Sequence, residues 1–162
     1  MSPDAKPPVA LLAAEAPQRP FRTNYPEPFA SRMAGRDKRP LGDLFGLSNF
    51  GVNITRLKPG GCSALRHAHT NQDEFVYVLS GRYDLWLDGK DFTATAGDLV
   101  RMPRGLPHGI FNKSGETATS LFWVAPTRSL KELFERIHNL PDPAEVVRIA
   151  AEHEVNFLPP PA

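Results

Sequence analysis

Between residues 50 and 124 the chain breaks into short runs of strand character, at 50–57, 63–67, 74–79, 82–87, 91–94, 98–102, 108–112 and 118–124. The first, FGVNITRL, alternates and is rich in β-branched residues, the pattern of a half-buried strand. Turn chemistry separates the runs: Lys58-Pro59-Gly60-Gly61, Ser80-Gly81, Asp88-Gly89, Ala96-Gly97, Pro103-Arg104-Gly105 and Lys113-Ser114-Gly115. Gly and Asp supply the positive φ that tight turns require, and Pro fixes the φ that opens them. Many short strands at near-regular spacing fold as a sandwich or barrel. The pattern is not repeated, so one barrel is expected in these 162 residues.

The flanks read differently. Residues 1–28 hold seven of the 17 prolines and little periodicity, which predicts a flexible arm that can lie across a surface. After Pro126 the period lengthens to about 3.6. Leu130, Leu133, Phe134 and Ile137 share one helical face that Ser129 could cap, and a second helix starts at Pro143, with Val146, Val147 and Ala150 inward. The organisation is then arm 1–28, barrel with its leader 29–126, and a helical tail 127–162 packed on the barrel.

Nineteen basic residues face eighteen acidic ones, with no basic stripe, which argues against nucleic acid as a partner. No apolar run approaches the roughly 20 residues of a membrane span. Cys62 is the only cysteine, so no intramolecular disulfide forms. The stretch Val9–Ala14 after Lys6 stops at Glu15, short of a secretory core of roughly 7–15 residues. A cytoplasmic location is expected.

The chemistry gathers at four residues. His67 and His69 are two apart, so their side chains leave one face of a strand. Glu74 follows after the polar turn Thr70-Asn71-Gln72-Asp73, and His108 returns from a distant strand after a Pro-rich turn. Three imidazoles and a carboxylate are good donors for Fe, Mn, Co, Ni, Cu or Zn. His138 and His153, in the tail without such partners, read as ordinary structural histidines.

Gly61, His67, His69, Glu74 and Gly81 stand at the intervals of the first cupin motif, and Gly97, Pro103, Gly105, His108 and Asn112 at those of the second. Fifteen residues separate the two. The chain therefore resembles the bacterial single-domain cupins. The resemblance implies an all-β, cupin-type barrel (a double-stranded β-helix, or jelly roll) with one divalent transition metal per chain on His67, His69, Glu74 and His108. The leader at 24–53 is similar to that of uncharacterised single-domain cupins, and the tail at 122–160 to that of quercetin-dioxygenase-like cupins.

Alternation predicts the pocket. If Glu74 points inward so do Val76 and Val78; Ile110 follows His108, and Leu65 follows His67. The wall is then aliphatic, with Phe122, Trp123 or Trp86 beside it. No Lys or Arg has inward parity on the motif strands, although Arg82, Arg101 or Arg104 could serve at the rim. Tyr77, Arg66 and Cys62 have outward parity.

An aliphatic metal pocket suits a quercetinase-like dioxygenase acting on a small aromatic, flavonol-like or enol/diketone substrate, with Glu74 as ligand and as base. A non-redox enzyme (a sugar or sugar-phosphate isomerase, epimerase or lyase) and a non-catalytic binding protein are the alternatives, since fold does not fix reaction. The strand at 74–79 is apolar on both faces beyond Glu74. Its outer face needs a cover, and a homodimer is the expected one.

Overall fold

The structure, a computed structural model, describes residues 6–20 and 23–159. Its strands are β1 (Arg36–Pro40), β2 (Gly51–Leu57), β3 (Cys62–His69), β4 (Asp73–Ser80), β5 (Arg82–Leu87), β6 (Lys90–Thr95), β7 (Leu99–Met102), β8 (His108–Phe111), β9 (Ala118–Ala125) and β10 (Val155–Phe157). Helices α1 (Leu41–Leu44), α2 (Leu130–Ile137) and α3 (Pro143–Glu152) complete the fold. Two antiparallel five-stranded sheets, ordered β1-β2-β9-β4-β7 and β10-β3-β8-β5-β6, face each other as a cupin-type jelly roll.

Between the sheets lie Leu57, Val76, Val78, Tyr83, Leu85 and Met102, each at most 1% exposed. Enclosing side chains of this size contributes about 1.5–3 kcal/mol apiece. Two polar ties fix the layers. The Tyr83 hydroxyl donates to the Thr55 and Ala118 carbonyls and accepts from Ser120. Asn112 donates to the Leu57 and Glu116 carbonyls, so this buried residue closes the end of β8. Gly81 holds φ at +72°, and a Cβ there would stand 2.8 Å from the Ala118 Cα and the Thr117 carbonyl oxygen. The β4–β5 turn is closed to any other residue.

The strand runs legible in the sequence are present, and two strands were not anticipated. β1 is the charged run Arg36-Asp37-Lys38-Arg39-Pro40, and β10 comes from the tail. α3 begins as expected, with Pro143 in its first turn and the Asp142 carboxylate accepting from Ala144 N at 2.9 Å. Ser129 occupies the N-cap of α2, but its hydroxyl makes no capping bond.

The described arm residues pack against the barrel instead of trailing from it. Arg39 donates to the Ala14 and Ala16 carbonyls, Ala16 is buried, and Arg19 N donates to the Lys38 carbonyl at 3.4 Å. The outer face of β4 and β7 is left bare by the described residues of arm and tail: Tyr77, Leu79 and Leu99 are 37%, 42% and 62% exposed. No helix among the described residues is long and apolar enough to cross a membrane.

Candidate metal centre

His67 and His69 lie on β3, Glu74 opens β4, and His108 opens β8. His67 pairs directly with His108 across the sheet, and Glu74 enters from the facing sheet. All four are buried, and one ligand atom from each lies within 4.8 Å of the others. Gly105 aligns the second motif with the first: at φ +77° its N–H donates to the His69 carbonyl at 2.6 Å.

The imidazoles are oriented from behind. Nδ1 of His67 lies 2.7 Å from the Leu65 carbonyl, Nδ1 of His108 is 3.0 Å from that of Leu106, and Nδ1 of His69 is 3.0 Å from Oε1 of Gln72. A proton on each Nδ1 satisfies these acceptors and leaves each Nε2 with its lone pair inward. Nε2 of His67 and Nε2 of His69 then face each other at 3.0 Å, two acceptors with no proton between them. Nε2 of His69 is 3.0 Å from Glu74 Oε1, and Nε2 of His108 is 2.8 Å from Oε2. The His108 contact lacks hydrogen-bond alignment, so this buried nitrogen has no hydrogen-bond partner.

A cation resolves all of these contacts. Donors bound at about 2.0–2.2 Å stand roughly 3 Å apart when they meet near right angles. The four side chains fit a divalent transition metal and could hold one.

Electrostatics favour the ligand states of His67 and Glu74 and oppose that of His108. Burial, then the neighbouring His108 and His69, push His67 down to about 3, so it is neutral near pH 7. Burial alone would raise the Glu74 carboxyl, but the His69 and His108 imidazoles hold it well below its ordinary range. Burial works to lower His108, and the Glu74 carboxylate outweighs it and raises that imidazole.

The donors face a cavity of about 110 Å³. Ile110 lines it, as expected, together with Phe122 and Val124. Val76 and Val78 do not: they sit deeper, in the core between the sheets. Leu65 is turned out of the cavity into a separate groove, because a bulge between Ala64 and His67 breaks the alternation of β3. Cys62 faces that groove too, and burial raises its thiol. Trp86 packs under the Arg66 guanidinium, away from the donors.

Alternation on the motif strands could not find the rest of the wall. Arg36 and Lys38 from β1, Arg19, Asn24 and Tyr25 from the arm, and Asn53 from β2 all line the cavity. So do Leu130, Leu133 and Ile137 of α2, which makes the tail part of the site and not merely a cover for sheet surface.

Comparison with known proteins places this geometry. A family profile described as Cupin domain matches residues 53–125. A crystal structure described as a sugar phosphate isomerase from a cupin superfamily, from Silicibacter pomeroyi, is 37% identical with a TM-score of 0.67, covering 72% of this chain and 74% of that one. The polyketide synthase CurC of Streptomyces cyaneus is 29% identical over 67% of this chain and 71% of its own. Quercetin 2,3-dioxygenase of Bacillus subtilis is 30% identical over 73% of this chain, which spans 33% of that protein.

Proposed function

The chain belongs to the cupin superfamily, and from that premise we propose that it is a metal-dependent enzyme isomerising a small, polar hydroxycarbonyl compound. The observation that carries this reading is the cavity itself. It encloses about 110 Å³, far below the roughly 300–1,000 Å³ of pockets that take drug-sized ligands. Beside an apolar wall that includes Ile110, Phe122 and Val124, it is also lined on one side by amide, phenol and cationic groups that alternation on the motif strands had not predicted. A flat flavonol is too large for such a space, whereas a compact hydroxylated substrate finds partners in Asn24, Tyr25 and Asn53. The likeness to the Silicibacter pomeroyi protein supports the same reading.

A divalent cation on His67, His69, Glu74 and His108 would supply Lewis acidity to adjacent carbonyl and hydroxyl oxygens. The chain's own groups do the remainder. Leu130, Leu133 and Ile137 exclude bulk water, and the outward Nδ1 contacts keep the three imidazoles aimed at one point. Both Glu74 oxygens are engaged by imidazoles, and a carboxylate held so far below its ordinary range is a weak base. In this reading Glu74 is a ligand that charges the site, not the proton acceptor.

A second reading, oxygenation, draws support from the 30% identity to quercetin 2,3-dioxygenase. One experiment separates the two. Metal-loaded protein is incubated with small aldoses, ketoses and their phosphates in D2O under nitrogen, followed by NMR. Exchange of a carbon-bound proton next to the carbonyl, with ketose–aldose interconversion, supports the isomerase. Oxygen uptake with enols, diketones or phenols, and no exchange under nitrogen, replaces it with the oxygenase.

A further inference from the structure

We propose that Arg19 and Lys38 form an oxyanion subsite across the cavity from His67, His69, Glu74 and His108. The substrate then carries a phosphate or carboxylate group remote from its chelating oxygens. The inference rests on the isomerase reading for the rest of the substrate, and on the cavity wall alone for the anion.

The two cations reach the cavity by separate routes. Lys38 lies on β1, the edge strand of its sheet. Pairing of Lys38 with Thr55, and of Thr55 with Ser120, sets it in a row whose β2 and β9 members are buried. From there its ammonium reaches over the Phe122 ring, 4.7 Å from the centroid. Phe122 belongs to the adjacent row, nearer Glu74. Arg19 comes from the arm, which the bond from its N–H to the Lys38 carbonyl holds beside β1. Its guanidinium stands over Phe134 of α2 at 5.6 Å. Both aromatic faces hold the cations without consuming their N–H donors. A third cation, Arg36, lines the same cavity and donates to the Ser63 carbonyl of β3, which braces the strand beneath the other two.

This arrangement costs free energy as it stands. Like charges have been brought together away from water: after burial, Arg36 lowers the proton affinity of Arg19, and Arg19 and Arg36 lower that of Lys38. The acidic groups that act on them are Asp43, on Arg19, Glu74, on Lys38, and Tyr25 and Cys62, on Arg36. Glu74 is already engaged by two imidazoles, and no ion pair to a carboxylate joins Arg19 or Lys38 among the described residues. Surface arginines of the same chain do pair, as Arg101 does with Asp73 and Arg148 with Glu145. Two cations, Arg19 and Lys38, that no carboxylate pairs among the described residues, facing a small cavity whose remaining wall is largely apolar, are suited to a small oxyanion. Neutral sugars leave their charge unanswered.

The test uses the full chain, both as purified and after dialysis against EDTA, titrated calorimetrically with inorganic phosphate and, separately, with lactate. Each charge-assisted contact is worth about tenfold in affinity. Arg19→Gln and Lys38→Met are therefore expected to weaken binding of the preferred anion at least about tenfold in both preparations. Lys38→Arg should keep most of the affinity, and the surface variant Arg148→Gln all of it. Circular dichroism of each variant checks that the barrel is intact. Tighter binding of phosphate assigns a phosphorylated substrate, and tighter binding of lactate a carboxylated one. The subsite is overturned if wild type binds neither anion, or if Arg19→Gln and Lys38→Met bind as wild type does. Proton exchange on a neutral hydroxycarbonyl without anion binding would remove the subsite and keep the isomerase. Anion binding through Arg19 and Lys38 without any exchange would do the reverse.

Discussion

Replacing Lys38 with methionine is expected to stabilise the protein, most of all below pH 7. Although the residue keeps some accessible surface, its ammonium is deep enough that loss of hydration, then Arg19 and Arg36, lower its pKa from 10.5 to about 7 against the opposing pull of Glu74. The unfolded chain keeps the Lys38 proton up to pH 10.5 and the folded chain only up to about 7. Below pH 7 both states are protonated and the full cost of enclosing the cation is present. Between 7 and 10.5 the unfolded state binds more protons, so stability rises with pH. At about 1.4 kcal/mol per pH unit between the two values, the ceiling is about 5 kcal/mol. Structural relaxation and water reaching the cavity reduce this to about 2–3 kcal/mol. Methionine retains the packing on Phe122 without the charge. Urea unfolding of EDTA-treated protein, followed by tryptophan fluorescence at pH 6 and pH 9, should show the variant ahead at pH 6 and the gap narrowing at pH 9. A variant less stable than wild type at pH 6, or a gap independent of pH, would refute the electrostatic account of Lys38.

Other expectations follow from the donor cluster and the sheets. His67→Ala and His108→Ala should lose most of the metal that wild type carries by elemental analysis, with circular dichroism unchanged. Gln72→Leu, which removes the acceptor behind His69 Nδ1, should weaken metal affinity about 10–100-fold in a chelator competition. Because Glu74 raises His108 in the metal-free protein, metal entry competes with a proton on this imidazole to higher pH than at an ordinary histidine. Titration with Mn(II) or Zn(II) in weak buffer should release acid, and affinity should fall as pH drops. The bare face bearing Tyr77, Leu79 and Leu99 is expected to be covered by a second copy of the chain. Light scattering that reports a monomer at every concentration would remove that expectation.

The His67, His69, Glu74 and His108 cluster was legible because each part of it is written locally. Two residues of spacing put His67 and His69 on one face of β3, and glycines fix the turns that bring Glu74 and His108 back. The pairing of His67 with His108 is long-range; the sequence placed His108 on a distant strand but not opposite His67. Leu65 shows where this kind of reading fails. Alternation holds only for an unbroken ladder, and one extra residue between Ala64 and His67 sends Leu65 outward. Nothing in the run Ser63-Ala64-Leu65-Arg66 announces a bulge. Val76 and Val78 fail for a different reason: their inward parity was right, but inward at that depth means core and not cavity.

The cationic wall was hidden by its composition. A run such as Arg36-Asp37-Lys38-Arg39 ordinarily reads as solvated surface, and a proline-broken arm as loose chain. Their inward turn is a tertiary outcome. β1 becomes an edge strand only because β2 offers it a ladder, and the arm follows because Arg39 and the Lys38 carbonyl hold it there. A period-two signal was nonetheless present, since Arg36, Lys38 and Pro40 alternate with the ion-paired Asp37 and Arg39. The barrel's motifs therefore specify where a metal can sit, whereas the segments outside them, arm, β1 and α2, decide what can sit beside it.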